Sequence, residues 1–263
     1  MRLEEMTWEE VNAVDRSTVV IVPFGAMEQH GPHLPLKTDA LIGEAIARRL
    51  DNFCDGKLLV LPQQWLGFST HHMRFPGTLT ASAETFLALA CDTISSIAGA
   101  GFSNIIVLNS HGGNAAALDV VLTKCKSLYP SHRLLAVTYW NAAATELAKL
   151  RESRIGGMGH ACELETSLVL AEQPNLVHMD RARADGRWPA SEFLAKDMLR
   201  GGSALYARRF DEISDKGAVG DPTTASAAKG EAAFAVIVQT LARLVRQVQS
   251  EEIDQSVPVV SAD

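Results

Sequence analysis

The run Thr18–Phe24 constrains the fold more than any other feature of the sequence. It consists almost entirely of Val, Ile, Pro and Phe, which is typical of a strand buried on both faces of a parallel sheet. Polar side chains follow as soon as the run stops at Gly25. Two carboxylates and two imidazoles lie within twelve residues: Glu28, His30, His33 and Asp39. Because reactive groups collect where the strands of an open α/β sheet end, we predict a functional site here.

Predicted strands and helices alternate along the rest of the chain. The further predicted strands are Leu58–Pro62, Asn104–Asn109 and Arg133–Tyr139. The predicted helices span residues 7–11, 38–50, 82–98, 115–128, 161–172 and 224–249. This alternation predicts an α/β protein. No regular element is predicted for residues 180–220, and residues 255–263 are predicted to fray.

Composition narrows the class of function. The 263 residues contain no linker-like segment, so we predict a single domain spanning residues 1–263. The formal net charge of -7 and the scattered Lys and Arg argue against a nucleic-acid partner and favour a small neutral or polar substrate. No apolar run reaches the roughly 18 residues that cross a bilayer, and the N-terminal residues lack an apolar signal core. We therefore predict no membrane partner and a cytoplasmic location.

Glu28 and His30 are predicted to be metal ligands. They are two residues apart, which places both side chains on one face of an extended backbone. Asp39, at the start of a predicted helix, would be a third ligand, and His111, after the strand Asn104–Asn109, a fourth. Oxygen and nitrogen donors suit Zn, Mn, Fe or Co. The four cysteines are widely spaced and form no C-x-x-C pair, which argues against a zinc–thiolate or redox site.

Several of these residues also have a structural interpretation. Asp39 could be a helix N-cap, and His111 before two glycines could be an ordinary loop residue. His33, His71 and His72 are predicted to be hydrogen-bonding loop residues. The metal hypothesis depends on three separate strand-end loops that each carry a His or a carboxylate.

A second cluster of polar residues surrounds Cys162 in the sequence. On a helix, His160 and Glu163 share a face, whereas Glu165 points about 200° away from Glu163. One helix therefore cannot send both carboxylates to the same point. We predict Glu163 as a fifth metal ligand and His160 as an acid/base or substrate contact. Alternatively, Glu163 could interact favourably with the helix dipole. Glu165 could accept a hydrogen bond from a metal-binding residue without itself contacting the metal.

The residues together resemble the creatininase family of metal-dependent amidohydrolases, over most of the chain. The pattern E-x-H-G-x-H at Glu28–His33, followed by Thr38 and Asp39, is highly specific. The other matching segments are Pro23–Pro35, Phe75–Thr78, Asn109–Asn114, Gly159–Ala161, Glu165–Ser167 and Gly220–Pro222.

The resemblance implies a fold, a cofactor and an assembly. It implies a three-layer α/β/α sandwich with a mostly parallel central sheet, and two divalent metal ions (Zn, Mn or Fe). Asp39 would bridge the two ions, with Glu28 and His111 on one of them and His30 on the other. The resemblance also implies a homohexamer.

One position departs from the family's pattern. Creatininases that open the creatinine ring carry a Glu two residues after the matching histidine, as a ligand of the second metal, and here that position is Gly113. The sequence instead resembles a branch that includes a formamide hydrolase of flavin and deazaflavin synthesis, a peptidase of mycofactocin maturation and a keto-inositol hydrolase. Glu163 would then supply the missing carboxylate.

We predict hydrolysis of a C–N bond in a small cyclic or linear amide by a hydroxide that bridges two metal ions. His160 would protonate the departing nitrogen, and Trp140 and Gly113 would contact the substrate. A serine nucleophile is not predicted, because the chain has no G-x-S-x-G. The alternatives are the other activities of the branch, of which the keto-inositol hydrolase would cut a C–C bond, and a metal-binding protein without turnover.

Overall fold

The computed structural model describes residues 1–255, and the end of the tail that was predicted to fray, 256–263, lies outside them. The described residues form a sheet of four parallel strands in the order β2-β1-β3-β4. The strands are β1 Val19–Phe24, β2 Leu59–Val60, β3 Asn104–Asn109 and β4 Arg133–Thr138. β3 has the predicted bounds, whereas β2 is shorter than predicted.

Nine α-helices surround this sheet within the described residues. They are α1 Trp8–Ala13, α2 Thr38–Phe53, α3 Ala83–Gly99, α4 Ala115–Leu128, α5 Tyr139–Ala142, α6 Ala144–Leu150, α7 Glu163–Glu172, α8 Phe210–Ile213 and α9 Ala227–Gln249. α7 begins two residues later than predicted, because Ala161 has a left-handed φ of 52° and Cys162 is the extended N-cap residue. None of the nine helices is both long enough and apolar enough to cross a membrane.

The central strands send alternate side chains into two hydrophobic cores. Val19 and Ile21 of β1 pack in the core that α2, α7 and α9 cover, whereas Val20 and Val22 pack in the core under α3 and α4. This alternation follows from the two-residue period of a strand and explains why the whole of β1 is apolar. Helices therefore lie on both faces, which confirms the predicted three-layer α/β/α sandwich with a parallel central sheet.

The carboxyl ends of β1 and β3 bring distant loops together. The register pairs Phe24 with Asn109, so the loops that follow the two strands begin side by side. Ser110 Oγ donates to Phe24 O at 3.1 Å and to Asp39 O at 2.8 Å. A Cβ on Gly25 would lie 2.8 Å from the backbone of Ala40, so α2 starts directly against the end of β1. The first turn of α2 therefore lies at the same edge of the sheet.

Residues 180–220 are irregular apart from short helical turns and α8, and specific contacts fix them to the body of the protein. The carboxylate of Asp197 is buried, accepts from Gly156 N at 3.0 Å and pairs with Arg151. Arg187 N donates to Ile213 O at 2.8 Å, at the end of α8. The segment thus forms one wall over the carboxyl edge of the sheet.

Candidate metal centre

Four of the five predicted ligands lie together at the carboxyl edge of the sheet, and all four are buried. Asp39 Oδ1 is 3.1 Å from His30 Nε2, and its Oδ2 is 3.0 Å from His111 Nδ1. Glu28 Oε1 is 3.3 Å from His111 Nδ1. Asp39 is the second residue of α2 and Lys37 is the N-cap, so Asp39 does not cap the helix. Its two oxygens instead face two different histidines.

Glu163, the fifth predicted ligand, lies elsewhere. Its two oxygens accept from Glu152 N and Ser153 N, each at 2.9 Å, and one of them also pairs with the ammonium of Lys229. Burial opposes ionisation of Glu163, but the Lys229 charge and the N–H donors outweigh it and lower the pKa of the carboxyl. The structure contradicts the prediction, because the chain itself already saturates this carboxylate.

Glu165 is the carboxylate of α7 that faces the ligands. Its Oε1 is 4.0 Å from His30 Nε2, and ligand atoms of Glu165, His30 and His160 lie within 4.8 Å of one another. The prediction that one helix can send only one of the two carboxylates to this point holds, but it selected the wrong one. The late start of α7 turns the third residue of the helix, not the first, toward the sheet edge. We call Glu28, His30, Asp39, His111 and Glu165 the central cluster.

Backbone carbonyls orient the histidines of the central cluster. His30 Nδ1 donates to Glu28 O at 3.1 Å, so Nε2 faces the carboxylates. His111 Nε2 lies 3.1 Å from Phe68 O and 3.2 Å from Ser69 Oγ, so Nδ1 faces the carboxylates. A carbonyl that accepts from the far ring nitrogen is the usual partner of a metal-binding histidine, because it fixes the tautomer.

The central cluster collects positive charge. Burial opposes the charge of His30, but Asp39, Glu165 and Glu28 outweigh it and raise the pKa of His30 to about 9. Against the same effect of burial, Glu28 and Asp39 raise the pKa of His111 well above its ordinary value. Burial, helped by Asp39 and opposed by His30, raises the pKa of Glu165 to about 7. The buried carboxylates thus attract protons and imidazolium charge, which divalent cations would replace.

The donor set fits divalent metal ions. Neither carboxylate oxygen of Glu28 has a hydrogen bond within residues 1–255, although the side chain is fully buried. A buried carboxylate oxygen without a donor is costly unless something compensates it. Within the same range, four groups of three ligand atoms lie within 4.8 Å of one another, and three of these groups include Glu28. Nitrogen and oxygen donors at this spacing suit Zn or Mn.

His71 and His72, which were predicted to be loop residues, lie at the central cluster. His72 Nε2 is 3.2 Å from Glu28 Oε1, and the His71 ring stacks on His111 at 5.7 Å. Gln29 Nε2 donates to His72 Nδ1 at 2.7 Å, so the proton of a neutral His72 is on Nε2, which lies near Glu28 without the geometry of a hydrogen bond. His72 therefore presents an N–H rather than a lone pair. The only signal in the sequence was a polar loop with adjacent histidines.

His160 precedes α7 and is not part of it. Its N donates to Val219 O at 2.9 Å, and its Nε2 donates to Gln29 O at 2.7 Å. Its Nδ1 is therefore left facing Glu28 Oε1, at 3.7 Å. Burial and the neighbouring His30 lower the pKa of His160 well below its ordinary value, so the ring is neutral. A neutral imidazole with a free Nδ1 can accept a proton at the edge of the central cluster.

A cavity of about 340 Å³ opens onto the central cluster. Trp140 and Gly113, the two residues predicted to contact substrate, both line it. A Cβ on Gly113 would lie 2.3 Å from Phe68 O and 2.5 Å from His111 Nε2. No side chain fits there unless the neighbouring loop moves. The absence of a Glu at position 113 is therefore built into the packing.

Comparison with known proteins agrees with this geometry. The creatinine amidohydrolase (creatininase) family model matches residues 4–245. The chain belongs to the creatininase family. A mycofactocin precursor peptide peptidase from Mycobacterium tuberculosis is 34% identical over 237 residues, which cover 87% of this chain and 85% of the peptidase. A creatinine amidohydrolase from Pseudomonas putida is 26% identical over 261 residues, which cover 92% of this chain and 95% of the enzyme.

A solved creatininase structure has the same fold. It is 25% identical, has a TM-score of 0.78 and covers 94% of this chain and 96% of its own. The predicted resemblance to the creatininase family is thus confirmed, and so is the prediction that the protein is a hydrolase of that family. The four predicted ligands that the structure brings together come from the E-x-H, T-D and N-S-H segments.

Proposed function

We propose that this creatininase-family protein uses divalent metal ions to hydrolyse a C–N bond in a small cyclic or linear amide. The observation that carries the proposal is the central cluster: three carboxylates and two imidazoles, buried, with unsatisfied carboxylate oxygens, at the floor of a cavity of about 340 Å³. Burial of three carboxylates without metal would cost free energy that no other interaction of these oxygens offsets in full.

The central cluster would hold two ions. Glu28 and His111 would bind one ion, His30 and Glu165 the other, and Asp39 would contact both, since its two oxygens face His30 and His111 separately. Solved creatininases described as a Zn–Zn type and as an Mn form support these metals. When bound, the ions lower the pKa of a water molecule and polarise the amide carbonyl.

Residues of the chain around the ions would handle the proton and the substrate. His160 would accept a proton at Nδ1, the nitrogen that faces Glu28, and pass it to the departing nitrogen. Its Nε2 bond to Gln29 O holds the ring in that orientation. Trp140 and Phe210 line the cavity with apolar surface, which would exclude water from the side of the substrate that they cover.

A second candidate is hydrolysis of a peptide amide. It is favoured by the 34% identity to the mycofactocin precursor peptide peptidase, which exceeds the 26% identity to the creatinine amidohydrolase. Gly113 also favours a peptidase over a ring-opening creatininase, because the packing leaves no room at this position for the Glu of ring-opening creatininases. The formamide hydrolase and keto-inositol hydrolase hypotheses stay predictions.

The test is hydrolysis by protein loaded with Zn or Mn. Creatinine, other lactams, formamides, short peptides and cyclic ketones would be incubated in ¹⁸O-labelled water and the products analysed by mass spectrometry. We expect ¹⁸O in the carboxylate product of an amide, and no product after chelation or with the variant Asp39→Ala. Label in the product of a cyclic ketone alone would favour C–C cleavage, and no turnover of any substrate would contradict the proposal.

Three further predictions remain open. A single domain over residues 1–263, a homohexamer and a cytoplasmic location are predicted from the sequence and the resemblance. Light scattering of purified protein tests the second of these, since six chains of 28.4 kDa give a mass that a monomer or dimer cannot match.

A further inference from the structure

The wall of the cavity carries two arginines that the proposed function does not use. Arg187 and Arg208 both line the space above the central cluster. Arg187 Nη2 lies 3.4 Å from Asp215 Oδ2, so its charge has a partner. Arg208 is half-buried, and within residues 1–255 its guanidinium makes neither a hydrogen bond nor an ion pair. Its cation lies over the ring of Tyr206, at 5.3 Å from Cζ to the ring centroid.

Arg208 is attached to the part of the wall that contacts the reactive groups. The ring of Phe210, two residues later, lies 3.8 Å from the ring of His72 and 4.7 Å from that of His160. The hydrogen bond from Arg187 N to Ile213 O connects the second arginine to the same helix, α8. The position of the unpaired guanidinium is therefore tied to the position of the reacting atoms.

The rest of the wall is apolar and offers no other unpaired charge. Trp140, Trp188, Met198 and Ile213 line it. The Trp188 Nε1–H donates to Gly156 O at 2.8 Å, which satisfies the indole's one polar atom. The carboxylate of Asp197 also lines the cavity, but it pairs with Arg151. A molecule bound in this cavity would thus contact aromatic surface and one free cation in addition to the groups of the central cluster.

We propose that the substrate carries a carboxylate, which Arg208 binds, and an apolar group, which packs against Trp140 and Trp188. The inference rests on the proposed function, because it names the class of amide that the site would cleave. The planar guanidinium fork of an arginine pairs with the two oxygens of a carboxylate. One unpaired cation matches one negative charge, and aromatic rings contribute most of the contact area of such pockets.

Binding of two matched probes tests the proposal. The probes are 3-phenylpropionate and 3-phenylpropionamide, which differ only in the carboxylate, and isothermal titration measures their affinities. Arg208→Gln removes the proposed contact. Arg200→Gln is the control, because Arg200 lies in the same segment, is exposed, makes no side-chain ion pair within residues 1–255 and does not line the cavity. Each protein is measured both with metal and after chelation, since a metal ion can itself bind a carboxylate.

We expect the wild type and Arg200→Gln to bind the carboxylate about tenfold or more tighter than the carboxamide, with and without metal. Arg208→Gln should abolish this preference and leave the carboxamide affinity unchanged. Arg208→Lys, which keeps the charge but not the fork, should retain part of it. Melting temperatures equal to that of the wild type would show that the variants fold.

Three results would overturn the proposal. The first is equal affinity of Arg208→Gln and Arg200→Gln for the carboxylate probe. The second is a preference for the carboxylate over the carboxamide that is lost when the metal is removed. The third is no measurable binding of either probe to the wild type. The test is separate from that of the proposed function. If the loaded protein cleaves no amide but the carboxylate preference holds, the hydrolase proposal fails and the binding assignment stands.

Discussion

Two buried polar regions lie beside the first turn of α7, and they are satisfied in opposite ways. In one, Glu163 accepts from two backbone N–H groups and the Lys229 ammonium, so the chain itself saturates the carboxylate. In the other, Glu28 has no hydrogen bond to its carboxylate within residues 1–255. The two regions contain the same kinds of residue. From this difference we infer that a buried carboxylate marks a cation site only where the protein leaves its oxygens free.

The structural region also includes an imidazole. His33 is fully buried, and its Nε2 lies 2.9 Å from Thr166 Oγ1, as predicted for a hydrogen-bonding loop residue. His30, three residues earlier, faces Asp39 instead. We call the Glu163–Lys229 pair and the His33–Thr166 pair the structural contacts. The comparison predicts that changes in the central cluster affect metal binding, whereas changes in the structural contacts affect the free energy of unfolding.

The largest effect is expected for Asp39→Asn. Because Asp39 faces both proposed metal positions, its replacement should lower the affinity for both ions by more than the roughly 10- to 100-fold that loss of an outer partner costs, and turnover should be lost. Metal content by elemental analysis checks this, with circular dichroism as the control for folding. Full metal content in the variant would break the comparison.

The next effect separates the two glutamates of α7. Glu163→Gln leaves the buried Lys229 ammonium with only the exposed Glu152 carboxylate at 3.3 Å and Thr224 O at 2.7 Å. The free energy of unfolding should therefore fall, by less than the roughly 3–5 kcal/mol of a fully unpaired buried charge, with metal content unchanged. Glu165→Gln should do the reverse and lower metal affinity with little change in stability. Denaturant titrations and metal analysis of both variants check this. Weaker metal binding in Glu163→Gln than in Glu165→Gln would restore the ligand predicted from the sequence.

The third effect concerns His33, which should make the free energy of unfolding fall at acid pH. Burial, helped by the charge of His30, lowers the pKa of His33 to about 4. The unfolded chain binds this proton near pH 6.5 and the folded protein only near 4, so stability falls as the pH drops between these values. The contribution is roughly 3 kcal/mol. Unfolding of His33→Gln should therefore depend less on pH between 7 and 4 than that of the wild type, and parallel curves would contradict the assignment.

The smallest effect is expected for Ser69, which contacts a histidine of the central cluster from the side away from the carboxylates. Ser69 is buried, and its Oγ lies 3.2 Å from His111 Nε2. Ser69→Ala should weaken metal binding about tenfold, because partners that orient a ligand histidine contribute at this level. Phe68 O still accepts from the same nitrogen, so the loss should not be complete. Competition with a chelator measures the affinity, and an unchanged value would show that the carbonyl alone orients the ring.

The frame of the site could be predicted from the sequence. β3 and α4 have the predicted bounds, and four of the five residues predicted as ligands lie together at the carboxyl edge of the sheet. The reason is physical: buried parallel strands are continuous apolar runs, and their carboxyl ends meet at one edge of the sheet. Polar residues placed directly after such runs had no other region of the fold to occupy.

The rest depends on details that short-range patterns do not specify. The choice between Glu163 and Glu165 turns on where α7 begins, and a shift of two residues rotates a helical side chain by about 200°. That start is set by the left-handed Ala161 and the extended Cys162. The wall residues Trp188, Arg208 and Phe210 lie in the irregular segment 180–220. Tertiary contacts, not periodicity, place that segment over the sheet.

The most direct test of the central claim is the position of the metal ions. Crystals loaded with Zn or Mn would be measured at the absorption edge of the metal, so that anomalous scattering locates each ion. We predict two peaks, one among Glu28, Asp39 and His111 and one among His30, Asp39 and Glu165, and none at the Glu163–Lys229 pair. A single peak at Glu163, or no peak at the central cluster in protein that retains its metal, would contradict the account.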